Sequence, residues 1–538
     1  MDIPFNPFYV ALYPEIHYTF DLFFSRLWHA QPEILADCPW RINPGCKIPL
    51  LCIIKHADRF PISLESIAVE MLYDDGTREN QTIWATPYPI KTYHWYNVFL
   101  IAPRKEYSGN ILISVYINIQ QGHHAHHIVN HNYRGIMKSP LKVHIAKEPL
   151  PALEHWYYGE SHCHSFHSDD QVEFGAPVSA TIQLATAMGL NWIAITDHSY
   201  DLDDTYGNAL HYDHNLSKWK KLKKDIQNEN GKSSFKTILG EEISCGSARN
   251  KNIHLLAYGI NNFIPGGGDG AERWFRTRPD LPLKKVLRIV KEDGGIAYAA
   301  HPQERFTLGE RFMLRRGHWE KEDHALTDYC GLQFWNGKQD KSFHEGYKRW
   351  IEMLLQGRRI YCIGGDDSHG DFNVFRQIRI PLVKMIESPY KVFGKVRTCI
   401  FCENEFNEKS ILTALAKGHI IVTSGPFATL SARNEQGNTV GIGGEISGKK
   451  VDIVITGRSS EEFGDIEQVS LYTGNLKDRN EKKQEFLFKA DYSNARDFEI
   501  KNTSLQTADP VYFRLEATSR KGKNAYTVYT NPIWYTPA

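Results

Sequence analysis

Apolar and polar positions change their spacing along this chain in a way that divides it into three stretches. Over residues 1–152 the apolar runs are of strand length. Pro49-Leu50-Leu51-Cys52-Ile53-Ile54 and Ile111 to Ile117 are rich in β-branched residues and bounded by turn formers such as Asp74-Asp75-Gly76. A short helix is expected over Tyr18 to Leu27. This stretch predicts an N-terminal β-sandwich accessory domain. Over residues 153–425 apolar strands alternate with helical patterns. The pattern through Ile182 to Met188 precedes a strand from Asn191 to Thr196. Lys284 to Glu292, with Val286, Leu287 and Val290 on one side, leads through Gly294-Gly295 into Ile296 to Ala300. Tyr347 to Leu355 precedes Arg359 to Ile363. Such alternation predicts a parallel sheet, open or closed into a barrel. Ser410 to Ala416 is a late helix, and Gly425-Pro426 marks the exit. Over residues 426–538 period-two alternation returns, in Lys450 to Ile455 and Val511 to Ala517. Thr473-Gly474-Asn475 reads as a turn between strands, and a second β-sandwich is expected.

Composition changes this picture little. A chain of 538 residues fits roughly three or four domains, and 41% hydrophobic residues is ample for their cores. The 63 basic and 63 acidic residues cancel, so no long-range pull on nucleic acid or on a membrane is indicated. Nine scattered cysteines, an odd count, argue against a disulfide framework. Cys399 and Cys402 form a CxxC with no second Cys or His pair nearby, and ordinary packing is the expected role. Met1 to Pro7 carries no basic segment ahead of an apolar one, and no apolar run is long enough to span a bilayer. A soluble, cytoplasmic protein is expected.

The 24 histidines carry the chemistry. His162 and His164 are two apart, so on a strand both imidazoles share a face and can bind one ion. Ser168-Asp169 follows them. Asp197-His198 ends an apolar strand, where parallel α/β architectures keep functional groups. Asp197 is expected as a helix cap or as support for His198, the ligand. Glu242 follows Gly240, and a carboxylate can bridge two cations where a neutral imidazole cannot. His254 lies in a short apolar run and His301 ends another. Asp367 and His369 are again two apart, after glycines that allow close backbone approach. One strand-end histidine is ordinary, but nine candidate ligands on successive strand ends form a site. The run Gly122-His123-His124-Ala125-His126-His127 is set apart. It lacks carboxylate partners and lies in the N-terminal stretch, so a solvated loop or an interface is expected.

The ordered motifs HxH…SD, TDH, GxE, H, HP and GxDxH, between about residues 155 and 425, resemble the PHP (polymerase and histidinol phosphatase) family. Gly240-Glu241-Glu242 and the ending Tyr529-Thr530-Asn531-Pro532-Ile533-Trp534 look closer to its CehA/McbA-like subgroup. The resemblance implies an α/β fold: a distorted (β/α)7 PHP barrel flanked by N- and C-terminal β-sandwich domains. It also implies two or three divalent transition-metal ions, Zn, Mn or Fe. One ion would take His162, His164, Glu242 and Asp367. A second would share Glu242 and add His254 and His301. A third would take Asp169, His198 and His369, with Asp170 standing where the family usually has Gly. Asp366 competes with Asp367, and the DxH spacing selects Asp367.

The implied activity is metal-dependent hydrolysis of a phosphodiester or phosphomonoester by a bridging hydroxide, with Glu242, Asp367 and His301 expected to carry the catalysis. Arg273, Arg276 and Arg278 follow the Gly-rich loop Phe263 to Gly270, and Arg249 lies between two ligand motifs. These suit a small phosphoester substrate. Asn336 ends another strand, and Tyr200, His211 and His214 occupy an insertion at the expected entrance. Two other readings stay open at this point. One is a metal-dependent carboxylic or carbamate ester hydrolase; the other is a binding protein whose sandwiches recognise glycan or protein. Oligomeric state is not legible.

Overall fold

The computed structural model describes residues 31–538 apart from 134–136, 169–174, 207, 269–276, 307, 309–310, 312–313, 378–385 and 488–494. The helix expected over Tyr18 to Leu27 lies outside the described residues.

The N-terminal stretch forms two facing sheets. Glu33–Asp37, Ile48–Lys55 and His94–Ile101 make one, and Ile62–Tyr73 with Gly109–Gln121 make the centre of the other. Along these long strands the inward positions, such as Leu64, Val69, Ile113 and Val115, are apolar, while the alternate positions face outward. They pack against Ile34, Leu50, Cys52 and Ile54 of the smaller sheet in a core of their own.

The central stretch contributes nine strands to one large sheet. They are β1 (Trp156–Cys163), β2 (Trp192–Ile195), β3 (Lys236–Gly246), β4 (Asn252–Tyr258), β5 (Ile296–Ala299), β6 (Gly331–Asn336), β7 (Tyr361–Gly365), β8 (Arg397–Phe401) and β9 (Ile420–Thr423), in spatial order β7-β6-β5-β4-β3-β2-β1-β8-β9. Among the described residues, helices longer than one turn in this stretch are α1 (Val178–Met188), α2 (Ser217–Asn230), α3 (Leu283–Glu292), α4 (Lys341–Leu355) and α5 (Glu408–Lys417). α3 buries Leu283, Val286, Leu287 and Val290, the stripe its sequence predicts. α4 starts at Lys341 rather than at Tyr347. Asp340 caps it by accepting from the backbone of Ser342 and Phe343, and Gly346 stays inside the helix because a Cβ there would lie 2.9 Å from Phe334.

The expected (β/α)7 barrel is corrected here. Strands β1, β2 and β3 are parallel neighbours, as are β5, β6 and β7, but β4 runs antiparallel to both β3 and β5. β3 and β4 join through the tight turn at Ser247 to Lys251, with Asn250 at φ 54°, so no crossover helix is needed. Every residue of β4 is buried, so the strand shows no in-out alternation to read. The sheet also does not end at β1: β8 and β9 continue it antiparallel. On its other flank, β7 approaches β1 through a single bridge between Cys163 and Ser368, with Asp367 N donating to His162 O at 2.9 Å.

The C-terminal strands form two facing sheets, one of which is continuous with the central sheet. Phe427–Asn434, Thr439–Gly441, Val451–Arg458 and Asp497–Leu505 make a four-stranded sheet. Asn524–Thr530, Val511–Lys521 and Asp465–Asn475 extend the central sheet through β9, where Val422 pairs Tyr529. One core accordingly runs from Ile193 to Trp534. The turn expected at Thr473-Gly474-Asn475 is the end of a strand. Gly474 is required there because a Cβ would meet the Tyr512 ring at 2.2 Å. The turn follows immediately, with the Asn475 side chain accepting from Lys477 N and Asp478 N. Asn531 reaches back to β7, accepting from Cys362 N and donating to Cys362 O, so the chain's ending anchors the strand that leads to Asp367.

Candidate metal centre

The candidate residues come together in one buried cluster: His162, His164, His198, His301 and Asp367 from the ends of β1, β2, β5 and β7 or just beyond them, and Glu242 and His254 from within β3 and β4. His162 is the penultimate residue of β1, and His164 follows the strand; both side chains are fully buried. The alternation expected from their spacing brings their Nε2 atoms 3.2 Å apart. His162 Nδ1 lies 2.7 Å from Gln333 Oε1 on β6, which sets the ring's orientation and leaves Nε2 for the cluster. His164 Nε2 is 3.3 Å from Glu242 Oε2 and 3.2 Å from Asp367 Oδ1. The corresponding distances from His162 Nε2 are 3.3 and 3.4 Å. Ligand atoms about 2.1 Å from a tetrahedral ion lie roughly 3.4 Å from one another. These four atoms therefore have the spacing of a tetrahedral cation site.

Glu242 is the hub. Its Oε2 faces His162, His164 and His198 Nδ1, the last at 3.1 Å. Its Oε1 faces His254 Nδ1 at 2.8 Å and His301 Nε2 at 3.0 Å. Each oxygen thus serves a different set of imidazoles, as a bridging carboxylate does. Three groups of ligand atoms each lie within 4.8 Å of one another: His162, His164, Glu242 and Asp367; His198, Glu242 and His254; and His164, His198 and His369. His369 stacks on His164 with ring centroids 4.0 Å apart, and Tyr200 stacks on His198 at 4.6 Å. Asp169 lies outside the described residues.

Charges in the cluster perturb one another strongly. Burial drives Glu242 upward, but the imidazoles of His254, His162 and His198 outweigh it and hold the carboxyl well below its usual range. Burial alone would lower His164, yet Asp367 and Glu242 raise it to about 10. His198 is dominated by burial and falls to about 3, so its ring is neutral and its lone pair is available. Two ligands occupy strained backbone: His301 has φ 24° and Asp367 φ 52°, a region that non-glycine residues adopt at a cost. Gly365 is required beside them, because a Cβ would lie 2.6 Å from Glu160 Oε1.

Neighbouring carboxylates divide the work. Asp366 turns away from the cluster and accepts from the backbone of Lys395 and Val396, while Asp367 turns into it. Glu241 accepts from Ile264 N on the opposite face of β3 from Glu242. Asp197 is not a helix cap. It accepts from Ser165 N and Ser165 Oγ, both at 2.6 Å, and its carbonyl accepts from Glu242 N, so it ties the β1 and β3 ends together behind His198.

The residues expected to meet a phosphate are placed differently. Arg249 is largely exposed and pairs with Glu320 at 3.4 Å, and Arg278 is exposed. Arg273 and Arg276 lie outside the described residues. Asn336 does reach the cluster, donating to Asp367 Oδ2 at 3.2 Å. His211 and His214 are exposed on the surface insertion. Sequence reasoning missed Gln333, Glu304 and Lys391. Glu304 had a legible signal in its position three residues after His301, next to which it lies; Lys391 had none.

The histidine run is not a loop. His124–Val129 is a strand paired with Gly109–Gln121, in which His127 bonds Asn118 and stacks on Tyr116. Replacing His123, His124, His126 and His127 with alanine is expected to leave turnover at saturating metal unchanged. A large drop with an unaltered thermal midpoint would instead put the run in the site. Cys399 and Cys402 are buried, burial pushes both thiols up, and all nine cysteines are free. Among the described residues, no helix is long and apolar enough to cross a membrane.

No protein-family profile and no curated protein matches the chain. Solved structures that it matches include a β-glucuronidase from Parabacteroides merdae, at 9% identity, covering 94% of this chain and 64% of that one, with a TM-score of 0.19. A family 2 glycosyl hydrolase from Bacteroides cellulosilyticus matches at 10% identity over 95% and 63% of the two chains, with a TM-score of 0.16. A β-glucuronidase from Bacteroides uniformis matches at 11% identity over 94% and 61%, also with a TM-score of 0.16. The chain spans less than two thirds of the length of these proteins. Scores this low carry no argument about the fold or substrate of this chain. The resemblance to the PHP family and its CehA/McbA-like subgroup, and the phosphoesterase activity and trinuclear centre taken from it, are corrected: no family profile carries the resemblance, and the antiparallel β4 departs from the expected (β/α)7 barrel. Arg249 and Arg278, expected at a phosphate, are exposed instead, and Arg249 pairs with Glu320.

Proposed function

We propose that this chain is a metal-dependent hydrolase whose centre is built on Glu242. The observation that carries the reading is the near-tetrahedral spacing of His162 Nε2, His164 Nε2, Glu242 Oε2 and Asp367 Oδ1, with a second group of imidazoles on the other oxygen of Glu242. Imidazole and carboxylate donors suit Zn, Mn or Fe. His162, His164, Glu242 and Asp367 would hold one cation, and His198, Glu242 and His254 would hold a neighbour, with His301 beside it. Divalent cations held there supply Lewis acidity and lower the pKa of water.

The chain's own residues do the rest. Gln333 holds the His162 ring in the tautomer that presents Nε2. Asn336 steadies Asp367. A small cavity lined by His254, His301, Pro302, Phe306, Arg316 and Trp319 adjoins the cluster. The His198 ring, stacked on Tyr200, turns its Nδ1 toward the hub.

The test is a panel of chromogenic carboxylic esters, glycosides and phosphate esters, assayed on chelated and on Mn- or Zn-loaded protein. Turnover of at least one class, lost on chelation and restored by metal, is expected. Equal turnover by the chelated protein, or none from a fully loaded protein with any class, overturns the reading.

A further inference from the structure

We propose that Glu304 and Lys391 form a charged clasp that orients His301 and Asp367 and joins the two sides of the cation centre. The inference rests on the metal-centre reading above and extends it to two residues outside the ligand set. Glu304 Oε2 lies 2.8 Å from His301 Nδ1, while the other ring nitrogen of His301 lies 3.0 Å from Glu242 Oε1. Lys391 Nζ lies 3.5 Å from the second oxygen of Glu304 and 2.8 Å from Asp367 Oδ2. Asp367 Oδ1 is the atom that faces His162 and His164. The contacts therefore run from Glu242 through His301, Glu304 and Lys391 to Asp367, and they leave every ligand atom free to face inward.

Each member of the chain suits this task. An imidazole ligand needs its second ring N–H held by a fixed acceptor, which sets the tautomer and aims the ligating nitrogen. Glu304 is that acceptor for His301. An ammonium carries three donors, so Lys391 can hold two carboxylates at once. The need for a clasp comes from the backbone: His301 at φ 24° and Asp367 at φ 52° sit in strained conformations that persist only when surrounding contacts hold them. The loop that brings Lys391 in is itself at φ 55°. It packs so closely on Gly337, just beyond β6, that a Cβ there would lie 2.8 Å from Lys391 N. Lys391 thus comes from a loop before β8 and Glu304 from the segment after β5, and the two meet beside the cluster.

The experiment is calorimetric titration of metal-free protein with Mn or Zn, for wild type, Glu304→Gln, Lys391→Met, the double variant and Lys391→Arg, with thermal midpoints of the metal-free forms recorded. Glu304→Gln and Lys391→Met are each expected to weaken cation binding by roughly 10- to 100-fold. The double variant should lose little more than the worse single one, because either change opens the same clasp. Lys391→Arg should recover most of the affinity. Variants that fold and bind with wild-type Kd, or losses that simply multiply in the double variant, overturn the clasp alone. A folded wild type that binds neither cation overturns the metal centre itself and the clasp with it.

Discussion

Glu242→Gln is expected to abolish turnover and to lower the metal content of the purified protein while leaving the fold intact. The two oxygens of Glu242 face different imidazoles, at 2.8 and 3.0 Å on one side and at 3.1 to 3.3 Å on the other. An amide keeps the volume but removes the negative charge and leaves one good donor oxygen, so it can serve one cation but not two. Loss of a charged ligand that two cations share is expected to cost more than the roughly 10- to 100-fold typical of losing a ligand's supporting partner. Glu242 is fully buried among neutral and cationic rings, so the variant keeps its packing. Elemental analysis, circular dichroism and turnover on the same preparation check this. Near wild-type turnover with full metal occupancy would show that another carboxylate is the hub.

Removing the cations is expected to lower the thermal midpoint markedly, and adding Mn or Zn to restore it. A ligand that binds only the folded chain stabilises it by RT ln(1 + [L]/Kd), about 4 kcal/mol at a thousandfold excess over Kd. For a unit the size of the central and C-terminal stretches together this corresponds to a shift of about 5 °C. The shift should be concentrated in the transition of the central and C-terminal stretches, because their strands share one sheet and one core, whereas the N-terminal sandwich has its own. Differential scanning calorimetry of chelated and reloaded protein reads both the size and the place of the change. An identical trace in the two states would sink the metal reading, whatever the activity panel returned.

The candidate site was more legible than the fold around it. A strand has period two, so His162 and His164 announced a shared face in the chain itself. A polar residue at the end of an apolar run, as at His198, Glu242 and His301, is a local signal that needs no tertiary information. The two reversals around β4 were not legible, because its residues are buried on both faces and leave no alternation to read. Nor was the continuation of the central sheet through β9 into Asn524–Thr530, a pairing between residues about a hundred positions apart.

The division between sequence and structure follows from range. By itself the sequence determined which side chains are available for metal chemistry, which strands and helices carry them, and that the N-terminal stretch alternates as a sandwich does; each of these is set by neighbours a few residues apart. Only the tertiary structure decided that Asp366 turns to the backbone of Lys395 and Val396 while Asp367 enters the cluster, since both follow the same glycines. It alone brought Gln333 to His162, and Glu304 and Lys391 to opposite sides of the centre. It also turned Arg249 out to Glu320, undoing a substrate reading that rested on residue type. Side-chain direction at a strand end is fixed by the packing of loops distant in sequence, and no local pattern encodes it.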